Sequence, residues 1–281
     1  MTGHLTTPVV NLHATPVVNL HATSVVKHCA TQVVSYYAAR LRWLVVWGLG
    51  SCTWAYAADL TPLANTANTA NTASTVPPSP WHVVGLPEKY AKPVTQFDIT
   101  PLDGKRVLRV RADKSYGNLV HPWNGPASSI SFKWRLETPL LQANIKTRAG
   151  EDIALKVCLS FDLPADKIPA AERLLFKIAQ LASHDALPTA TLCYVWDHSQ
   201  PVDTEMPSPY TNRLHYIVLD SGETQLKTWH QHQRNVSVDF LKAFGKEATT
   251  APAVTAIIIG ADSDNTGDSS LGYVADITVQ P

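Results

Sequence analysis

Between Ser129 and Leu136 the chain reads SISFKWRL, and between Ile153 and Phe161 it reads IALKVCLSF. Ile130, Phe132, Trp134 and Leu136 fall on one side of the first stretch; Ile153, Leu155, Val157, Leu159 and Phe161 fall on one side of the second. Apolar side chains at every second residue fit a pleated strand with one buried face, and they cannot line one face of a helix, whose period is 3.6. Further strand candidates are Val107–Ala112, Ala190–Trp196, Leu214–Leu219, Leu226–Val238, Thr255–Ala261 and Gly272–Val279. Helical spacing is confined to PAAERLLFKIAQLA (Pro169–Ala182), which opens on proline, and to the short DFLKAFG (Asp239–Gly245), closed by glycine. Many strands with few helices predict a mainly β chain, a two-sheet β-sandwich with one inserted helix and a short second helix.

The first 80 residues do not share this pattern. TPVVNLHA occurs twice, at Thr7–Ala14 and Thr15–Ala22, then decays through TSVVKHCA; an eight-residue unit is too short to bury a face, so residues 1–39 read as an unstructured extension. Residues 40–57 run from Arg40 and Arg42 through an apolar stretch to small residues, the order of a secretory signal and too short for a stable membrane span. Two processing readings stand side by side. AYA (Ala55–Ala57) suits a signal peptidase that releases a soluble periplasmic protein; LGSC (Leu49–Cys52) resembles a lipoprotein box, with a lipid anchor at Cys52. Residues 58–80 hold NTANTANTAST and VPPSP, a flexible polar linker with a stiff exit, so the sandwich domain is expected over 81–281.

Loss of residues 1–57 removes Lys27, Arg40 and Arg42 and no acid, leaving 20 basic against 23 acidic residues. That balance argues against a nucleic-acid partner. Of the four cysteines only Cys158 and Cys193 fall in the domain, either as a disulfide in an oxidising compartment or as two buried thiols.

Several segments together, DGKRVLRVRADKSYGNLVH, FKWRLETPLLQANIKTRAGEDIALKVCLSFD, LCYVWD, PYTNRLHYIVLDSG, RNVSVDFLKAFG and GADSDNTGDSSLGYVADITV, resemble the bacterial domain of unknown function 3047 family over roughly 81–281. The resemblance implies an exported bacterial protein and a jelly-roll-like sandwich similar to carbohydrate-binding modules, with no established activity. AGED (Ala149–Asp152) stands where the family tends to show Gly-Asp-Asp, so Asp152 carries the matching acid; Cys158 and Cys193 also depart from the pattern, which favours their pairing.

The candidate site residues fall into three groups. In DSDNTG, Asp262, Asp264 and Thr266 take the first, third and fifth positions of a calcium loop and Gly267 the sixth, but the twelfth is Tyr273 instead of a bidentate acid. Asp262, Asp264 and Asn265 therefore either hold Ca²⁺ in an irregular loop or shape a turn through side-chain to backbone bonds. The outward positions of three strands, Arg109, Arg111, Lys133, Arg135 and Lys156, form a basic stripe for an acidic glycan or other envelope ligand, unless Glu137, Asp152 and Asp276 neutralise it. Trp123, Trp196 and Tyr210 are stacking candidates near strand ends. His230 and His232 share a strand face with Arg234; two imidazoles suit zinc or copper, but no third ligand is evident and the arginine disfavours a cation, so exposed histidines are expected.

Enzyme templates fail: the domain has no G-x-S-x-G elbow, H-E-x-x-H helix, phosphate loop or dinucleotide fingerprint. Glu151 and Asp152 are neighbours and cannot flank one glycosidic bond. The expected function is a non-catalytic, exported envelope protein that binds glycan or another envelope component through one sheet face, with Arg109, Arg135, Asp152, Trp196 and Tyr210 as ligand contacts. The alternatives are a glycoside hydrolase or lyase on the same fold, and a structural or assembly protein without a small ligand.

Overall fold

The computed structural model describes residues 60–63, 74–182 and 187–281. The octapeptide extension, the signal stretch, Cys52 and most of the NTA repeat lie outside the described residues. Within them the chain forms two sheets whose inner faces share one core. The larger sheet has the order β1 (His82–Val84), β4 (Tyr116–Gly125), β11 (Val254–Asp262), β6 (Ile153–Phe161), β7 (Ala190–Asp197), β9 (Leu214–Ser221) and β8 (Glu205–Pro207). The smaller has β10 (His230–Asn235), β5 (Ser129–Thr138), β12 (Ser269–Gln280), β3 (Lys105–Asp113) and β2 (Gln96–Leu102). All strand neighbours are antiparallel except β7 and β9. The expected two-sheet β-sandwich is the fold.

The alternation in β5 works as expected: Ile130, Phe132, Trp134 and Leu136 are in the core and the residues between them are partly exposed. β6 differs, because all nine of its residues are buried. Leu155, Val157, Leu159 and Phe161 face the core between the sheets, while Ile153 and Cys158 belong to a second apolar cluster with Ile145, Cys193, Val195, Tyr216 and Val218. The connection carrying Ile145 and the partly buried Met206 and Leu214 cover that second side. Cys158 and Cys193 are opposite each other on β6 and β7 and form a disulfide.

Among the described residues two α-helices complete the fold, α1 (Ala170–Ala182) and α2 (Val236–Phe244). α2 begins three residues before the expected Asp239, and β10 ends at Asn235, because the Asn235 side chain accepts the Val238 N–H at 3.0 Å and caps the helix. α2 then buries Val236, Phe240 and Phe244 in the main core, whereas α1 leaves Leu174, Leu175 and Ile178 exposed. At the N-terminal margin of the domain, Leu60 and Leu63 are buried and the Trp81 indole N–H donates to the Thr61 carbonyl at 2.8 Å.

Candidate functional site

The DSDNTG loop leaves the end of β11 and is held by Asp152, which precedes β6. Asp152 Oδ1 accepts the Asn265 N–H at 3.1 Å; its Oδ2 accepts the Thr266 N–H at 2.7 Å and the Thr266 hydroxyl at 2.5 Å. Asn265 Nδ2 donates to the Glu151 carbonyl at 2.8 Å. Gly267, at φ +70°, supplies the left-handed residue that closes the turn, with its N–H on the Ser263 carbonyl at 3.1 Å. Asp152, Asp262 and Asp264 thus come together, with carboxylate oxygens within 4.8 Å of one another.

Each of the three carboxylates already has protein partners. Lys156 Nζ donates to Asp262 Oδ1 at 2.7 Å, and both side chains are 9% exposed. Asp264 pairs with Lys92 at 3.6 Å, and Asp152 is saturated by the loop. The reach of Lys156 depends on Gly260: a Cβ there would lie 2.8 Å from Lys156 Cε and would also collide with Asn118 Oδ1. Glu151 lies alongside, accepting from the Ser208 and Tyr216 hydroxyls.

Four acids close to one buried lysine set the electrostatics of this corner. Burial pushes the Asp262 carboxyl up to about 6 against the pull of Lys156, and Asp152 and Glu151 add to the push. Burial also works against the Lys156 ammonium, but Asp262, Tyr116 and Glu151 hold it above the ordinary lysine value. A carboxyl whose folded pKa exceeds its unfolded one favours folding while protonated, so the contribution of Asp262 is present below about pH 4 and is lost as pH rises to about 6. Unfolding midpoints measured across pH 4–7 are expected to fall more steeply with rising pH for the wild type than for Asp262→Asn; parallel profiles would remove this assignment.

The outer face of the smaller sheet carries the other group. Arg109 and Arg135 point outward as expected, and Tyr273 of β12 lies directly between them in register. Arg109 makes two 2.9 Å hydrogen bonds to Asp98. Arg135 bonds Glu137 at 2.5 Å and Asp103 at 3.0 Å, and the Trp229 indole N–H also reaches Asp103 at 2.9 Å. Lys133 pairs with Asp276 at 2.9 Å, and its N–H holds that carboxyl below the usual range. Instead of a bare basic stripe, the face carries Arg109, Lys133 and Arg135 as paired charges around a tyrosine, with Arg111 exposed at its edge.

Five expectations need correction. Lys156 is not on this face: it belongs to the other sheet and is buried. Asp152 does not neutralise the stripe, since it serves the loop. Trp196 is 2% exposed and faces Trp134 across the core, because the alternation of β7 turns it inward; its ring is not available for stacking. Trp123, 4% exposed, is buried as well. Tyr210 is exposed, with the Arg148 guanidinium 5.4 Å from its ring centre and its hydroxyl on the Arg148 carbonyl. His230 and His232 are also not exposed; they turn inward, at 13% and 18%, onto Asp220. Asp220 and Tyr273 were missed because neither sits in a local motif: register alone places Tyr273 between the arginines, and the packing of one sheet on the other alone brings Asp220 of β9 to β10.

Fold and surface together define a mainly β sandwich domain with an open polar sheet face. The chain belongs to the family described as Protein of unknown function (DUF3047), matched over residues 79–278. No curated protein matches the sequence. Among solved structures, it is similar to TmCBM61 in complex with beta-1,4-galactotriose, at 12% identity over 72% of this chain and 88% of that one, TM-score 0.30. Endoglucanase 3 of Trichoderma harzianum, from family GH12, gives 9% identity over 72% and 99%, TM-score 0.37. The family 12 xyloglucanase of Bacillus licheniformis gives 10% over 66% and 88%, TM-score 0.36. Likenesses this distant carry no argument about activity.

Proposed function

We propose that the chain is an exported bacterial envelope protein whose sandwich binds glycan, without catalysis, on the outer face of the smaller sheet. The observation that carries the binding reading is Tyr273, set between Arg109 and Arg135 with Trp229 nearby. A flat ring offers a sugar a stacking surface. The Arg109–Asp98 and Arg135–Glu137 pairs hold donors and acceptors at fixed positions for hydroxyl groups. The internal pairing of these charges suits a hydroxyl-rich ligand better than a polyanion, and the acidic balance of the processed chain keeps nucleic acid out of the reading.

Export rests on the Arg40–Ala57 order of charge, apolar run and small residues, and the Cys158–Cys193 disulfide is of the kind that persists in oxidising compartments. Processing after Ala57 gives a periplasmic protein; lipidation of Cys52 gives an anchored one. No helix among the described residues is long and apolar enough to cross a membrane.

The test is retardation of the full chain in native gels containing galactan, xyloglucan, polygalacturonate or peptidoglycan fragments, with released reducing ends assayed in parallel. At least one polymer is expected to retard the protein, Tyr273→Ala to weaken that binding about tenfold, and reducing ends to stay at background. Retardation by none of the four, or equal retardation of the variant, refutes the assigned face; release of reducing ends replaces it with the hydrolase alternative.

A further inference from the structure

The inward side of β10 carries His230, His232 and Arg234, and β9 supplies the residue that the spacing of the histidines does not reveal. Asp220 Oδ1 lies 2.7 Å from His230 Nδ1, and Oδ2 lies 2.7 Å from His232 Nε2. Arg234 does not compete for this space: it grips Asp239 through hydrogen bonds of 2.9 and 2.7 Å, and the Tyr194 hydroxyl completes that separate cluster. We propose that Asp220, His230 and His232 form a binding site for a late first-row divalent metal ion, with zinc as its expected occupant.

Two imidazoles and one carboxylate, with ligand atoms within 4.8 Å of one another, are the donor set such ions prefer, and three protein ligands leave a coordination position open. Hydrogen positions make the argument sharper. The Thr228 hydroxyl has one proton and donates it to the Gln225 carbonyl at 2.6 Å. Its oxygen, 2.9 Å from His230 Nε2, must then accept the Nε2–H. A neutral His230 therefore aims a bare Nδ1 lone pair at a carboxylate oxygen 2.7 Å away. Two lone pairs at that distance repel unless a cation offsets them, either a second ring proton between the two atoms or a metal ion bound to both from one side.

The surroundings orient ligands in the way metal sites do. The buried Trp134 indole N–H donates to Asp220 Oδ2 at 2.6 Å, and Thr228 fixes the tautomer of His230. Edge-on packing of His232 on Trp134, with ring centres 5.2 Å apart, limits rotation of the second imidazole. The three side chains keep 11%, 13% and 18% exposure, because they lie at the margins of both sheets. β8 pairs β9 only at His215–Ile217, so at Asp220 β9 is the rim of its sheet, and β10 is the rim of the other.

The experiment uses the full chain stripped with EDTA, titrated with zinc against a chromophoric chelator, and separately with cobalt(II), whose visible bands report nitrogen and oxygen ligands. The expected result is a zinc equivalent per chain that His230→Gln and Asp220→Asn weaken at least tenfold, with cobalt bands lost in both and far-ultraviolet dichroism unchanged. Any zinc taken up by histidines of the octapeptide repeats would be the same in wild type and variants, so the variants decide. Absence of zinc binding by the wild type, or affinity unchanged in both variants, overturns the site and leaves the ring proton as the cation. Should the variants not fold, imidazole ¹⁵N resonances of the wild type are read instead: zinc is expected to shift those of His230 and His232, and their constancy overturns the proposal.

Discussion

Replacing Lys156 by methionine is expected to destabilise the domain by about 3–5 kcal/mol, the range for removing one partner of a buried ion pair. Methionine keeps most of the volume and loses the charge, leaving the buried Asp262 beside Asp152 and Glu151 without its hydrogen-bonded ammonium partner. The remaining acids then repel one another where solvent screening is weak. The double variant Lys156→Met with Asp262→Asn should recover about 1–3 kcal/mol through their coupling. Lys133→Ala, which breaks the exposed pair with Asp276, should cost less than about 1 kcal/mol. Urea unfolding midpoints at pH 7 measure all three, and a Lys156→Met variant as stable as Lys133→Ala would show that this corner is not the stability element described.

Opening the Cys158–Cys193 disulfide is the second large effect, expected at about 3–4 kcal/mol from the entropy regained by a loop of this size. The cysteines are separated by 35 positions, and the segment they close contains α1. Both sulfurs lie in the small apolar cluster on the outer side of the larger sheet, a cluster with few members to compensate. The wild type should unfold at lower urea in dithiothreitol than without it, whereas Cys158→Ala with Cys193→Ala should show one midpoint in both conditions. A reductant-independent wild type would mean that the cross-link contributes nothing to stability.

What could be read before the fold was known depended on how far apart the relevant residues lie in sequence. Strand alternation is a property of neighbours, so Ile130, Phe132, Trp134 and Leu136 predicted a buried face of β5 correctly. β2 and β4 escaped, because Pro101 and Pro122 interrupt them and their apolar spacing is irregular. The second covered side of β6 was invisible for a different reason. Nothing within IALKVCLSF shows that a distant connection carrying Ile145 will lie over Cys158, and the same omission put Lys156 on an open face.

The candidate sites divide in the same way. The turn character of DSDNTG and its mixture of acids are local and were legible; that Asp152, 113 and 114 positions before the residues it bonds, would hold the loop was not, although the family resemblance marked Asp152 as the matching acid. Strand alternation and the order of segments determined a mainly β class, and gave an N-terminal export signal and a domain start near residue 81 as expectations. Tertiary structure alone decided which outward positions became a paired lattice around Tyr273, which aromatic rings were lost to the core, and which acid met two histidines. Side-chain direction along one strand follows from its own period, but the partner across a sheet or between two sheets follows from register and packing, and these are set by the whole chain at once.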